Sequence, residues 1–255
     1  MFGKASAVEF RLRYVVHLVI YVVAFIAPWD YALHLDQGRS VWLPAALAFE
    51  RAGWLTLTEA SNALLIAGIL FALLGAGLRT WGAAYLSSAV VKSGAMHAAV
   101  DGAAHGTGVV ADGPYRYLRN PLYLGTWLHT FALALLMPAS GAVFAIVLIG
   151  VVQLRLIGGE EVFLAGTLGE AYLAYKARVP RLVPALKARV AASGARPMWL
   201  GAVMGETYMW GVAVAFCAVG WRYNAQLVIQ GVLVASGVSL VARAFIPKVA
   251  VEARA

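Results

Sequence analysis

Six stretches of the chain carry few or no formal charges, at about 14–29, 60–78, 122–137, 139–154, 198–219 and 223–242. A helix needs about 20 apolar residues to cross the hydrocarbon of a bilayer, and these runs approach or reach that length. The alternation expected of a membrane β-barrel is absent, and a helix satisfies its backbone polar groups within its own segment. The pattern therefore predicts an all-α integral membrane protein of about six transmembrane helices. Between Arg119 and Arg155 lie 35 residues without a formal charge, too many for one span and enough for two short ones. The break falls at Met137-Pro138-Ala139-Ser140-Gly141, where proline and small residues interrupt the run. A helical hairpin follows, and it returns the polar segments on either side of it to the same face of the membrane.

Composition agrees with that assignment. Hydrophobic residues make up 62% of the chain and charged residues 13%, against about 25% charged in soluble domains, and mean hydropathy is +0.78. Lys and Arg then set the orientation. The amino terminus, the connection between the second and third spans, the connection between the fourth and fifth, and the carboxyl-terminal tail together hold 17 of them, whereas Arg39, Arg51 and Arg222 lie opposite. Both termini are expected on the cytoplasmic side. The first span is expected to stay as a helix, since Ala24-Phe25-Ile26-Ala27 followed by Pro28 lacks a small-x-small cleavage pattern. A net charge of +8 spread along one membrane face, with no nucleic-acid motif, points to anionic lipid and not to nucleic acid. Cys217 is the one cysteine of the chain, so neither an internal disulfide nor a multi-cysteine metal site is open to it.

The chemistry concentrates in two blocks flanking the hairpin, DGPYRYLRNPLYLG at 112–125 and GGEEVFLAGTLGEAYLAYKARVPRLVP at 158–184. In the first, Pro121 suits the opening turn of a helix with Asn120 as its cap. The N–H groups of that helix start can hold a polar or anionic ligand group, and Tyr115, Tyr117 and Tyr123 can stack on a base or face a cation. In the second, Gly158-Gly159 is expected to free the backbone and Glu160-Glu161 to open a cytoplasmic amphipathic helix, with Leu164, Leu168, Tyr172 and Tyr175 on one face and Pro180 ending it. Interfacial anchoring and helix-end electrostatics are the structural alternatives for these tyrosines and glutamates. Three segments are expected: a two-span region at 1–111, a core at 112–184 and a two-span extension at 185–255.

Over these 73 residues the chain resembles the isoprenylcysteine carboxyl methyltransferase and phospholipid methyltransferase family, in the order, spacing and types of the residues in GPYRYLRNPLYLG and EEVFLAGTLGEAYLAYKARVPRLVP. The resemblance implies an S-adenosylmethionine-dependent membrane methyltransferase, its cofactor entering from the cytosol and a lipid or prenylated acceptor from the bilayer. Carried onto this sequence, the cofactor region comprises Tyr115, Arg119, Asn120, Pro121, Tyr123, Gly125, Glu160 and Glu161, with Glu161 and Arg155 as the catalytic pair and Arg155 near the acceptor.

The family usually has His where this chain has Asn120. Asn keeps hydrogen-bonding capacity but does not titrate near neutrality, which favours a contact role over proton transfer. A carboxylate acceptor needs no general base and is oriented by an arginine such as Arg155, which favours carboxyl O-methylation of an isoprenylcysteine-type substrate; for a phosphatidylethanolamine-type amine, Glu160 or Glu161 becomes the proton acceptor. A transporter or scaffold is the non-enzymatic alternative, but no internal repeat is apparent. His97, Asp101 and His105 recur every four residues among glycines, read as an irregular loop covering the site and not as a metal centre. Glu206 and Arg243 lie near or inside the last spans, where ionisable residues need a partner or a function.

Overall fold

The computed structural model describes residues 5–36, 38–86 and 109–244, and the loop with His97, Asp101 and His105 lies outside the described residues. The described residues form helices and turns, with no strand among them. A short α1 (Ala7–Arg11) leads into α2 (Arg13–Ile26). Ala27, left-handed at φ 41°, then turns the chain into α3 (Pro28–Leu33), whose proline occupies the first turn. After α4 (Trp42–Arg51), a capping box between Thr56 and Glu59 starts the 28-residue α5 (Leu57–Ala84). The hairpin is α6 (Pro121–Ala134) and α7 (Ala139–Arg178), and the chain closes with α8 (Trp199–Gly205), α9 (Thr207–Val219) and α10 (Ala225–Ala244).

Four units are long and apolar enough to cross a membrane, Arg13–Leu33, Leu57–Ala84, Ala139–Arg178 and Ala225–Ala242, and α8 with α9 makes a fifth if the pair, bent by 66°, is taken as one span. The sixth expected span corresponds to α6. Its 14 residues rise only about 21 Å, short of a hydrocarbon core of about 30 Å. Prolines fix its limits, Pro121 at its first turn and Pro138 just beyond the turns that follow it. Large aliphatic side chains stand exposed along the bundle, among them Leu18 and Val22 on α2, Leu70 and Leu74 on α5, Val143 and Val147 on α7, and Leu233 and Val234 on α10. An apolar surface of that extent fits lipid and not water.

The second polar block does not open a helix of its own. The 40-residue α7 runs straight through Gly158-Gly159, and its non-helical backbone falls later, at Gly169 with φ 55°. Packing explains Gly159: a Cβ there would lie 3.1 Å from the Ala5 carbonyl oxygen, and the Ala5 N–H donates to the Arg155 carbonyl at 3.1 Å. The amino-terminal segment thus rests on α7 where the sequence suggests a loose joint. Glu160 and Glu161 project from the middle of a helix, so the positive end of a helix dipole is not what holds them.

Gly125 also has a packing role. A Cβ on Gly75 would sit 2.8 Å from the Gly125 carbonyl oxygen, and one on Gly125 would sit 2.9 Å from that of Gly75. α5 and α6 therefore cross backbone to backbone at small residues, as membrane helices do where van der Waals packing and not hydrophobicity drives association. Gly125→Val is expected to cost on the order of 1–3 kcal/mol and to lower the unfolding temperature in detergent. Gly77→Ala, whose Cβ meets nothing within 4 Å, is the control that should not lower it. Equal melting of Gly125→Val and wild type would contradict the crossing.

Candidate active site

A strap of irregular chain lies along the first polar block. Arg119 N–H donates to the Pro180 carbonyl at 2.8 Å, Ala185 N–H to Tyr117 at 3.0 Å and Arg189 N–H to Arg116 at 2.8 Å. Asp112 anchors the far end by accepting from the Ser193 N–H at 2.8 Å and from the Ser193 hydroxyl. Burial works against its charge, but the bonds from Ser193, Ala195 and Gly194 outweigh that and hold the carboxyl below the usual carboxylate range.

The two neighbouring glutamates have different partners. Glu161 is 2% exposed and accepts from Arg119 (Nη2 at 2.9 Å, Nε at 3.1 Å) and Arg181 (Nη2 at 2.6 Å, Nε at 3.1 Å), with the Lys176 ammonium at 3.4 Å. The remaining Arg119 donors go to the carbonyls of Lys176, at 2.7 Å, and Val179, at 2.6 Å. This network joins α7, the end of α7 and the 117–120 turn into one clamp. Glu160 accepts from the Tyr123 hydroxyl at 3.0 Å and has no ion pair among the described residues.

Two cavities meet at these residues. The larger, about 410 Å³, runs among α2, α6, α7, α9 and the end of α5, and the smaller, about 90 Å³, lies against Leu164, Leu168, Tyr172 and Tyr175 of α7. Tyr115, Arg119, Asn120 and Glu160 line both. Pro121 and Tyr123 line the larger and Glu161 the smaller, so these sequence-marked residues are brought together. Asn120 stands at the cap position of α6 without capping it, and its Nδ2 donates to the Arg181 carbonyl at 3.0 Å. Tyr115 is held by the Tyr175 hydroxyl donating to its carbonyl at 2.9 Å, and burial, with the charge of Glu160, pushes its phenol well above the usual tyrosine value.

Neither Gly125 nor Arg155 lines either of these two cavities. Gly125 serves the helix crossing, and Arg155 makes a bidentate pair with Glu9, Nη2 lying 2.8 and 3.0 Å from the two carboxylate oxygens. Three guanidiniums do line the larger cavity: Arg79 and Arg119 are paired with Glu206 and Glu161, while Arg13 is stacked 4.6 Å from the Phe10 ring and 4.5 Å from the Tyr14 ring. The Arg13 charge directly follows the basic start of the chain, so in the sequence it reads as an orientation signal.

Deeper in the bundle the larger cavity is more polar than the apolar runs suggest. Arg79 forms a bidentate pair with Glu206, at 2.7 and 2.8 Å, and donates to Thr126 Oγ1 at 2.8 Å and the Leu122 carbonyl at 3.2 Å. This is the partner Glu206 needs, and it ties the carboxyl-terminal helices to the hairpin. Tyr21 and Thr130 hydroxyls lie 2.7 Å apart, and His129 Nε2 lies 3.4 Å from the Tyr208 hydroxyl. Among the described residues no cluster of His, Cys, Asp and Glu is arranged to hold a metal ion.

Comparison with known proteins supplies one match, to the family model for phospholipid methyltransferases (PEMT) over residues 63–171. No curated protein and no solved structure matches the chain. The matched stretch runs from α5 into α7 and includes Arg79, both cavity-lining halves of the hairpin and the glutamate pair, while Arg13 and Glu206 lie outside it. Residues 63–171 are thus similar to phospholipid methyltransferases, in agreement with the family that the two polar blocks resemble.

Proposed function

We propose that the chain uses S-adenosylmethionine to methylate the amine of a phosphatidylethanolamine-type lipid drawn from the bilayer. The observation that carries this reading is the meeting of the two cavities at Tyr115, Arg119, Asn120 and Glu160. A polar cofactor and an apolar acceptor then reach one point by separate routes. When bound, S-adenosylmethionine supplies an electrophilic methyl group on a positively charged sulfur. The residues present suit it: the Glu160 carboxylate offsets positive charge without being locked in an ion pair, Tyr115 and Tyr172 offer ring faces, and Asn120 Oδ1 is left to accept a hydrogen bond. The smaller cavity holds only part of a nucleoside, and the region shared with the larger one takes the remainder.

On the acceptor side, an amine arrives protonated and must lose its proton before the nitrogen can react. Glu160 stands at the junction to hold the ammonium, whose proton is lost to bulk water before the neutral amine reacts. Glu161 does not compete, because its oxygens are engaged by Arg119, Arg181 and Lys176. The apolar wall of the larger cavity excludes water and strengthens these charge interactions.

Carboxyl O-methylation of an isoprenylcysteine-type acid is the second reading, and Arg13 is the observation in its favour. Its guanidinium lines the larger cavity and has no carboxylate partner among the described ion pairs, so the orienting role expected of Arg155 passes to it.

Binding of S-adenosylmethionine, or of its demethylated product, to the purified protein tests the cofactor assignment by calorimetry. Saturable binding to the wild type is the expected result, and its absence from folded protein would overturn the assignment. The same reading puts the junction and both termini on the cytoplasmic side, given 17 basic residues against 3. A cysteine introduced at Lys187 should react with an impermeant reagent from the cytoplasmic face and one at Arg51 from the other. The reverse pattern would refute that orientation.

A further inference from the structure

Gln153 sits in the middle of α7 with 3% exposure, and neither its amide nitrogen nor its amide oxygen has a hydrogen-bond partner among the described residues. A buried amide without partners destabilises a fold, and nearly all such groups in native proteins are satisfied by something. Gln153 lines the larger cavity, as does His129, 1% exposed, whose Nδ1 is also without a partner. Both groups therefore border the same space. Gln153 precedes Glu160 by seven residues, two helical turns, so the two lie on one face of α7 and are separated by about 10 Å along it.

We propose that Gln153, with His129 beside the same cavity, is a second recognition subsite that binds a neutral hydrogen-bonding group of the acceptor, an ester carbonyl. An amide offers one donor face and one acceptor face, and methylene groups answer neither. An acceptor that is pure hydrocarbon at this depth leaves the amide unsatisfied. A lipid whose reactive head lies at Glu160 and whose ester carbonyl lies about 10 Å deeper accepts from the Gln153 Nε2 donors. The assignment rests on the proposed methyl transfer for the position of the reactive head, while the polar group at Gln153 can be detected by binding alone.

The test uses the full chain in nanodiscs and two probes, a diacyl phosphatidylethanolamine and its dialkyl ether counterpart, which keeps head and chains but lacks the carbonyls. Competition against a fluorescent lipid measures binding without cofactor, and the ratio of apparent KM values is read where turnover is seen. Wild type is expected to prefer the ester lipid by about tenfold, the worth of one good hydrogen bond. In Gln153→Leu the ratio should fall to about one while the unfolding temperature rises, since the unsatisfied amide is gone. Gln153→Met, closer in shape, repeats the comparison if the leucine variant fails to fold. A higher unfolding temperature with an unchanged ratio would mark the amide as merely structural and overturn the subsite. Equal binding of the two lipids by wild type, or binding of neither, overturns it as well. A binding preference without turnover leaves the subsite standing and counts against the methyl-transfer reading instead.

Discussion

Glu161→Gln should unfold the corner that joins α7 to the first polar block, whereas Glu160→Gln should leave the fold intact and empty the site. Removing one partner of a buried ion pair costs on the order of 3–5 kcal/mol, because the other charge stays behind without compensation. At Glu161 most of that cost arises at Arg119, whose side chain is 10% exposed. Arg181 and Lys176, 45% and 37% exposed, keep much of their water and contribute less. Arg119 also holds the carbonyls of Lys176 and Val179, so its release frees the end of α7 and the strap that follows. Gln at 160 can still accept from the Tyr123 hydroxyl, and its stability should stay within about 1 kcal/mol of wild type. Its loss is electrostatic, at least tenfold in affinity for a sulfonium cofactor, which corresponds to about 1.4 kcal/mol. Thermal unfolding and calorimetry on both variants separate the two. If Glu161→Gln melts with the wild type and binds as well, the clamp is not what holds the corner.

This division of labour between adjacent glutamates was not legible in the sequence, although the hairpin was. The uncharged run from residue 120 to residue 154 with Pro138 inside it announces two short helices; α6 is short, whereas α7 continues to Arg178. The polar blocks on either side then had to meet, and they do. Which of Glu160 and Glu161 joins the arginine clamp depends on the helical phase, and Gly158-Gly159 obscured that phase by resembling a break. The packing role of Gly159 became visible only with Ala5 against it. Arg155 and Glu9 are 146 residues apart and Arg79 and Glu206 are 127 apart, separations at which a single sequence carries no pairing signal. Glu206 stood out as an ionisable residue in an apolar region, while Arg79, at the end of an apolar run, read as a topological charge. Gln153 carried no signal at all, since one amide in a membrane helix is unremarkable until both its polar atoms are found without partners.

The acceptor should declare itself in the pH dependence of single-turnover methyl transfer. With a phosphatidylethanolamine-type lipid and saturating cofactor, the rate is expected to rise between about pH 6 and 8 by close to tenfold per unit, because an alkylammonium with a pKa near 10 is mostly protonated there and only the neutral amine reacts. A carboxylate acceptor is ionised above about pH 5 and should give a nearly flat profile over the same range. Two of the protein's own groups outside the membrane helices do not mimic the slope: burial and Glu160 push Tyr115 well above its usual value, and against the pull of burial its hydrogen bonds hold Asp112 below the carboxylate range. Glu160→Gln supplies the remaining control. Its rates should be lower throughout yet keep the same slope, since the slope belongs to the acceptor's proton. Single-turnover measurement keeps product release from masking the effect. A flat profile with the amine lipid would overturn the proton-loss step, and flat, efficient methylation of a prenylated acid would move the assignment to carboxyl O-methylation, with Arg13 as its anchor.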